Sequence, residues 1–285
     1  MTPPQSDALG SSSSTQDDDP HMDPNWINDP DARSYCPNGN PFVSFAGRQW
    51  WINYHWSRET GPWADSTFNS VFDPYLLEPT TDSNLVLQIQ PPNDKYPNSW
   101  RTSEAVLMDN LGYGQYLVTA KCDAPGGFSG LDPHVVFGIF TYQFTDTGDE
   151  SPNIHREIDA TEVLRRDTPG DAQFMLQPWD NRPPGLYFIL PQNTPVITVV
   201  LSWNINASGQ KYAYFGLWTG DYDWDGITKY KPFETLQAKG TDFEDLIPSH
   251  RWERFHLNLW LMHGVPPAGP QAVSITRFLF KPYSP

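Results

Sequence analysis

From about residue 25 to the C-terminus, apolar residues fall in short runs that alternate with polar ones. Proline, glycine and asparagine separate the runs. A period of two is the mark of a strand with one buried face. Phe42-Val-Ser-Phe45 and Gln49–Tyr54 read as short strands around the turn Ala46-Gly47-Arg48, and Asn84–Gln90, Ser103–Met108 and Gln115–Cys122 continue the alternation. Val135–Tyr142 is almost continuously apolar, as a strand inside a sheet requires. Further strands are predicted at Ala172–Gln177, Tyr187–Ile189, Val196–Trp203, Lys211–Trp218, His256–Met262 and Val273–Lys281. Lys231–Ala238 reads as one short helix. The 29 prolines and 20 glycines are spread through the connections and leave few uninterrupted helical windows. No internal repeat is visible. Many short strands between turns argue for an all-β sandwich.

Residues 1–24 break the pattern. They are rich in Ser, Asp, Pro and Gln with no periodic apolar residues, so they read as a disordered acidic tail, and His21-Met22 suits a tag-derived origin. Residues 25–285 form the globular domain. The net charge is −16; seven acidic residues and no Lys or Arg lie in positions 1–31, which leaves 27 acidic against 18 basic residues for the rest. Such a field repels nucleic acid and sulfated polysaccharides and costs a neutral glycan nothing. The 12 Trp, 13 Tyr and 16 Phe exceed what a core needs. A flat indole face stacks on the apolar face of a pyranose ring, although most of the twelve are accounted for by packing.

Cys36 and Cys122 have no metal-ligand spacing, and the seven histidines form no His-Glu-x-x-His pattern, so no metal site is predicted. One disulfide or two buried thiols fit equally well. No apolar run is long enough to span a bilayer. The N-terminus has no signal-peptide core. A secreted protein would therefore have had its signal removed or replaced.

The candidate chemistry is concentrated in His155-Arg-Glu157-Ile-Asp159-Ala-Thr-Glu162-Val163, with three carboxylates in six residues. Read alone, the segment has two solutions. As a helix it has a ragged apolar stripe through Ile154, Ile158, Thr161 and Leu164, with Glu162 pairing with Arg165 or Arg166. As a strand it puts Glu157 and Asp159 on one face, and Glu162 joins them only if Ala160 or Thr161 forms a bulge.

Glu157-Ile-Asp-Ala-Thr-Glu162 resembles the Glu-x-Asp-x-x-Glu signature of glycoside hydrolase family 16 in its bulged form. Three further stretches resemble the family in the same order: Trp100–Val106 with Leu111-Gly-Tyr-Gly-Gln-Tyr-Leu-Val, Gly138–Tyr142, and Leu257-Asn-Leu-Trp260. Together they span roughly residues 63–282. The resemblance implies a jelly roll, a β-sandwich of two curved antiparallel sheets with an open concave cleft. It implies Glu157 as nucleophile, Glu162 as general acid/base, and Asp159 between them sharing charge and proton, with Glu162 protonated at rest. Glu104, Phe140, Tyr142, Gln173, Asn258 and Trp260 align with cleft-lining positions. Trp260 would offer a stacking face, and Glu104, Gln173 and Asn258 would read sugar hydroxyls. Phe140 fits the core as well as the cleft. Trp63, Trp100, Trp179 and Trp203 are weaker candidates for the cleft. His155, Arg156, Met175 and Leu176 depart from the better-known β-1,3-1,4-glucanases.

The activity so implied is that of a retaining endo-β-glycanase acting on a neutral β-1,3- or mixed β-1,3/1,4-glucan by double displacement. A transglycosylase or β-galactanase on the same fold, and a non-catalytic lectin-like carbohydrate-binding domain, are the alternatives. The partner is a polysaccharide or oligosaccharide, with no nucleic acid and no membrane, and the protein is expected to be a secreted monomer. No cofactor is required. Family members often hold a structural calcium away from the cleft, and its ligands have no counterpart readable here.

Overall fold

The computed structural model describes residues 36, 39–53, 70–77, 84–143, 152–164, 169–178 and 185–283. The expected tail and its boundary near residue 25 lie outside these, as do Trp63, Trp179, Arg165 and Arg166. The chain is a β-sandwich of two sheets. The larger has the order β1 (Phe42–Phe45), β2 (Arg48–Ile52), β5 (Trp100–Leu107), β14 (Arg254–Leu261), β7 (Val135–Tyr142), β8 (Ile158–Val163), β9 (Ala172–Leu176) and β10 (Gly185–Phe188). These pairings are antiparallel, and a short β3 (Ser70–Phe72) runs parallel to β5. The smaller sheet has the order β13 (Glu234–Ala238), β12 (Lys211–Thr219), β11 (Val196–Ile205), β6 (Gly114–Lys121), β15 (Gln271–Pro282) and β4 (Leu85–Ile89).

Alternation decides which side chains enter the core between the sheets. On β14, Phe255, Leu257, Leu259 and Leu261 point inward, and on β7 Val135, Phe137 and Ile139 meet them. The intervening residues of both strands therefore stand on the outer face of the larger sheet, which is the cleft face. Burying a Leu- or Phe-sized side chain is worth about 1.5–3 kcal/mol, so this inner layer fixes the register that the outer face inherits. Trp203 belongs to the core, fully buried with its indole N–H donated to Pro248 O at 3.0 Å. Trp100 packs against the same core. Cys36 and Cys122 are both buried, and no disulfide joins them.

The smaller sheet buries its outer face locally as well. Leu117, Val200 and Trp218 lie under Tyr222, Trp224 and Ile227 of a strap containing helix α1 (Trp224–Lys229). Asp223 caps α1, its carboxylate accepting from Gly226 N at 2.8 Å. The predicted helix at Lys231–Ala238 is instead the edge strand β13, whose residues 234–238 pair with Leu217 through Ala213 of β12. Pro232 ends α1's reach, and the ladder offered by β12 outweighs the helix preference of Glu, Leu, Gln and Ala. Among the described residues, no helix is long and apolar enough to cross a membrane.

Candidate active site

β8 is held at its entry by two side chains. Asn153 Oδ1 accepts from Glu157 N at 2.9 Å, and Asn153 Nδ2 donates to Glu157 O at 3.0 Å and to Leu246 O at 2.8 Å. Thr141 Oγ1 donates to Arg156 O at 2.9 Å and accepts from Ile158 N at 3.1 Å. Between them Arg156 takes a positive φ of 50°. Non-glycine residues adopt that conformation only when their surroundings enforce it. Its fully buried guanidinium donates to Gln143 Oε1 at 2.9 Å.

The helix solution for residues 157–162 is excluded, because they lie along a strand with one extra residue. Against β7, Thr141, Phe140, Ile139 and Gly138 pair with Ile158, Asp159, Thr161 and Glu162, so Ala160 is passed over. Against β9, Asp159 pairs with Met175 and Glu162 with Gln173, three steps on β8 for two on β9. The bulge keeps Ile158, Ala160 and Val163 in the core. Glu157, Asp159 and Glu162 consequently share the cleft face. Bulges beside active sites re-aim side chains in this way.

Register then aligns rows of residues across the cleft. One row reads Glu104 (β5), Asn258 (β14), Gly138 (β7), Glu162 (β8), Gln173 (β9) and Tyr187 (β10). Gln173 Nε2 donates to Glu162 Oε2 at 2.5 Å. Gly138 leaves room for Asn258: a Cβ there would sit 2.5 Å from Asn258 Oδ1 and make that side chain shift. That oxygen is buried and has no hydrogen-bond partner. The next row reads His256, Phe140, Asp159 and Met175, and Gln177 Nε2 donates to Asp159 Oδ2 at 2.8 Å.

Burial raises all three carboxyls. Asp159, almost inaccessible, is pushed well above its ordinary value by burial first and then by the charges of Glu162 and Glu157. Glu157 is pushed up to about 8 by burial and by Glu162, and a hydrogen bond from Asp159 opposes the rise. Glu162 is pushed up to about 6 by burial, opposed by the Gln173 hydrogen bond. Three acids in one low-dielectric site cannot all be charged, so protons are shared among them.

The other predicted residues divide. Phe140 stands on the cleft face, tilted 4.9 Å from His256, and Tyr142 stacks on His155 at 4.9 Å and 16°. Asn258 faces the cleft. Glu104 is directed at protein rather than solvent: Asn53 Nδ2 donates to its Oε2 at 2.6 Å, and His256 Nδ1 lies 2.9 Å from its Oε1. With both oxygens engaged, Glu104 orients His256 instead of presenting a free carboxylate. Trp260 shares Asn258's face but packs with Val136, Leu164 and Met262 and keeps 5% of its surface exposed. It is part of the cleft floor and not an open stacking platform, a correction that follows from those three apolar neighbours.

Asn153, Gln177 and His256 were missed in the sequence. Only their distance from the carboxylates across strand register gives them a part, and no local motif marks them. Among the described residues, no three His, Cys, Asp or Glu side chains gather in a way that could hold a metal ion.

No protein-family model and no curated protein sequence matches the chain. Solved structures do. A prokaryotic β-1,3-1,4-glucanase (lichenase) derived from a mouse hindgut metagenome is 19% identical, with 84% of this chain and 96% of that one covered at a TM-score of 0.56. Bacillus licheniformis β-glucanase is 16% identical, covering 86% and 96% at 0.54. A pseudo β-1,3-glucanase of Mycobacterium tuberculosis is 17% identical, covering 82% and 91% at 0.57. The likeness is one of fold, and it establishes the jelly-roll sandwich.

Proposed function

We propose that the chain is a retaining endo-β-glycanase of the family 16 type, acting on a neutral β-1,3- or mixed β-1,3/1,4-glucan. Glu157 attacks the anomeric carbon, and Glu162 protonates the leaving oxygen and then activates water. Asp159 holds a proton toward Glu157. The observation that carries this reading is the bulge in β8, which brings two glutamates five positions apart to one face with an aspartate between them. A bare binding surface has no use for one buried and two half-buried acids crowded on one face, each costly to desolvate.

The proton count fits the reaction, while the order of the two values runs against the expected resting state with Glu162 protonated. Between the values of about 6 and about 8 to which Glu162 and Glu157 are raised, the trio holds two protons and one negative charge. Double displacement needs that count with the charge on the nucleophile, whereas the lower value of Glu162 puts it on the acid, so a proton must pass from Glu157 to Glu162 before attack. Asp159's hydrogen bond stabilises the charge on Glu157. Asn258 and the half-buried Phe140 and Tyr142, all on the cleft face, would contact the sugar. The acidic balance of the chain favours neutral over sulfated glycans. No organic cofactor enters the scheme. Secretion and a monomeric state belong to the same reading.

Reducing-sugar release from a panel of β-glucans and galactans tests it, with Glu157→Gln as control. The reading predicts release from a glucan by the wild type and loss of about 10³-fold or more in the control, the scale of removing a nucleophile. Binding without turnover on every polymer would favour the lectin-like alternative, a use of this fold compatible with the pseudo-glucanase name of one solved structure.

A further inference from the structure

The row that contains Glu162 does not end at Gln173. It continues to Tyr187 on the edge strand β10, two strands from Glu162 or about 10 Å at ordinary strand spacing. Tyr187 is 36% exposed on the cleft face, while its neighbour Phe188 turns into the core. Two residues on, Ile189 emerges on the same side with 68% of its surface exposed. It forms one wall of a cavity of about 300 Å³, together with Ser129, Asp171, Leu190, Gln192 and Asn193. The pairing runs on past the strand ends, Asp171 O accepting from Leu164 N at 3.0 Å and Asp171 N donating to Phe188 O at 2.9 Å, so alternation puts Asp171 on the face of Gln173, opposite the core-facing Ala172. The cavity lies at the rim of the larger sheet, one row along the strands from Glu162, where residues 189–193 lead toward the smaller sheet and Pro125, Gly126, Ser129 and Gly130 close its other side. Extended geometry puts it roughly 12 Å from that carboxyl.

We propose that this cavity and Tyr187 form a distal subsite that holds one neutral sugar unit of the glycan lying across the three carboxylates. The proposal rests on the reading of the previous subsection and adds to it a place where the chain is gripped without being cut. Its chemistry suits a pyranose. Tyr187 offers an aromatic face to the apolar side of a ring, Ile189 and Leu190 give an apolar wall and floor, and Ser129, Gln192 and Asn193 bring hydroxyl and amide groups for sugar hydroxyls. The volume lies at the small end of ligand pockets, enough for one unit and not for several. Asp171 is the only charged side chain among the described lining residues. A sulfated or carboxylated sugar would be repelled by it.

The test combines affinity electrophoresis of the full chain in gels containing a β-1,3-glucan or a mixed-linkage glucan with hydrolysis of β-gluco-oligosaccharides of increasing length. Tyr187→Ala should weaken retardation and raise KM for the long oligosaccharides about tenfold, the scale of one lost aromatic stack, with kcat and the short oligosaccharides little changed. Tyr187→Phe keeps the ring and should behave as wild type. Ile189→Trp, which fills the cavity, should reproduce the loss. Wild-type binding and KM in both Tyr187→Ala and Ile189→Trp would overturn the subsite while leaving hydrolysis intact. Retardation that depends on Tyr187 in a protein that cleaves nothing would instead overturn the hydrolase reading and uphold the subsite. A wild type that neither binds nor cleaves any polymer overturns both.

Discussion

Deleting Thr161 takes the bulge out of β8 and leaves Ala160 to take over the pairing with Ile139. Asp159 pairs with Phe140 and Glu162 with Gly138, two steps apart on β7. A regular strand spans those two steps with a single intervening residue, and Ala160 is already in the core. The shortened strand therefore carries Glu162 to the same register position and, by alternation, to the same face. Its cost is the hydrogen bond from Thr161 Oγ1 to Gln173 O at 3.2 Å, worth about 1 kcal/mol. Deleting Ala160 instead would drive Thr161 into the core and cost a further ~1–3 kcal/mol from crowding and a buried hydroxyl. Loss of the bulge also relaxes local twist and shifts the carboxyl; a displacement near 1 Å costs about 100-fold in rate. The Thr161 deletion should thus fold, melt only a few degrees below wild type, and retain activity within about 100-fold of it. It should also keep the limb of the pH–rate profile set by the catalytic acid, which Glu162→Gln should abolish. Thermal melts by circular dichroism and reducing-sugar release across pH read these outcomes. A folded deletion variant that has lost that limb, and is as inactive as Glu162→Gln, would refute the claim that register carries Glu162 to the cleft.

Stability should depend on pH through the trio. Because Glu162 and Glu157 are raised in the folded state, to about 6 and about 8, the folded protein holds protons that the unfolded chain releases near pH 4.3. Their contribution to stability is fully present below that unfolded value and is lost as pH rises through about 6 and then about 8. The melting temperature should fall from pH 5 to 9, and Glu157→Gln should flatten the fall; a rise over this interval would contradict the burial argument. Gly138→Ala places a Cβ 2.5 Å from Asn258 Oδ1, so Asn258 must move at a cost of about 1–3 kcal/mol, with KM raised in steady-state kinetics. Asn153→Ala removes three hydrogen bonds that fix Glu157 and Leu246. It should lower kcat about 10- to 100-fold with little change in KM, and an unchanged kcat would show that the clamp does not position Glu157.

Most of the architecture was legible because alternation and burial are the same fact seen twice. Val135–Tyr142 looked like a sheet interior because β7 lies between β14 and β8 with the core on one face and the cleft on the other. Lys231–Ala238 was misread because its helix-forming residues are local and the unpaired edge of β12, which recruits it, is not. The carboxylates were visible as an unusual density of charge. Whether they formed a strand or a helix could not be decided from their spacing, since the deciding residue, Ala160, is distinguished only by having no partner on β7. Roles set by register were harder still. Glu104 looked solvent-directed until Asn53 and His256 were found on its two oxygens, and Trp260 looked like a platform until Val136 and Leu164 arrived beside it from other strands. Tyr187 carries no motif and enters the cleft only through its pairing with Gln173.

The most direct measurement of the central claim is covalent capture of the intermediate. The wild-type chain, incubated with an activated 2-deoxy-2-fluoro-β-glucoside of a cleaved oligosaccharide, should gain the mass of one glycosyl unit. Peptide mapping should place that unit on Glu157, within the segment that runs through the bulge. A label on Glu162 or on another residue, or turnover of the natural glucan with inversion at the anomeric carbon, would contradict the account.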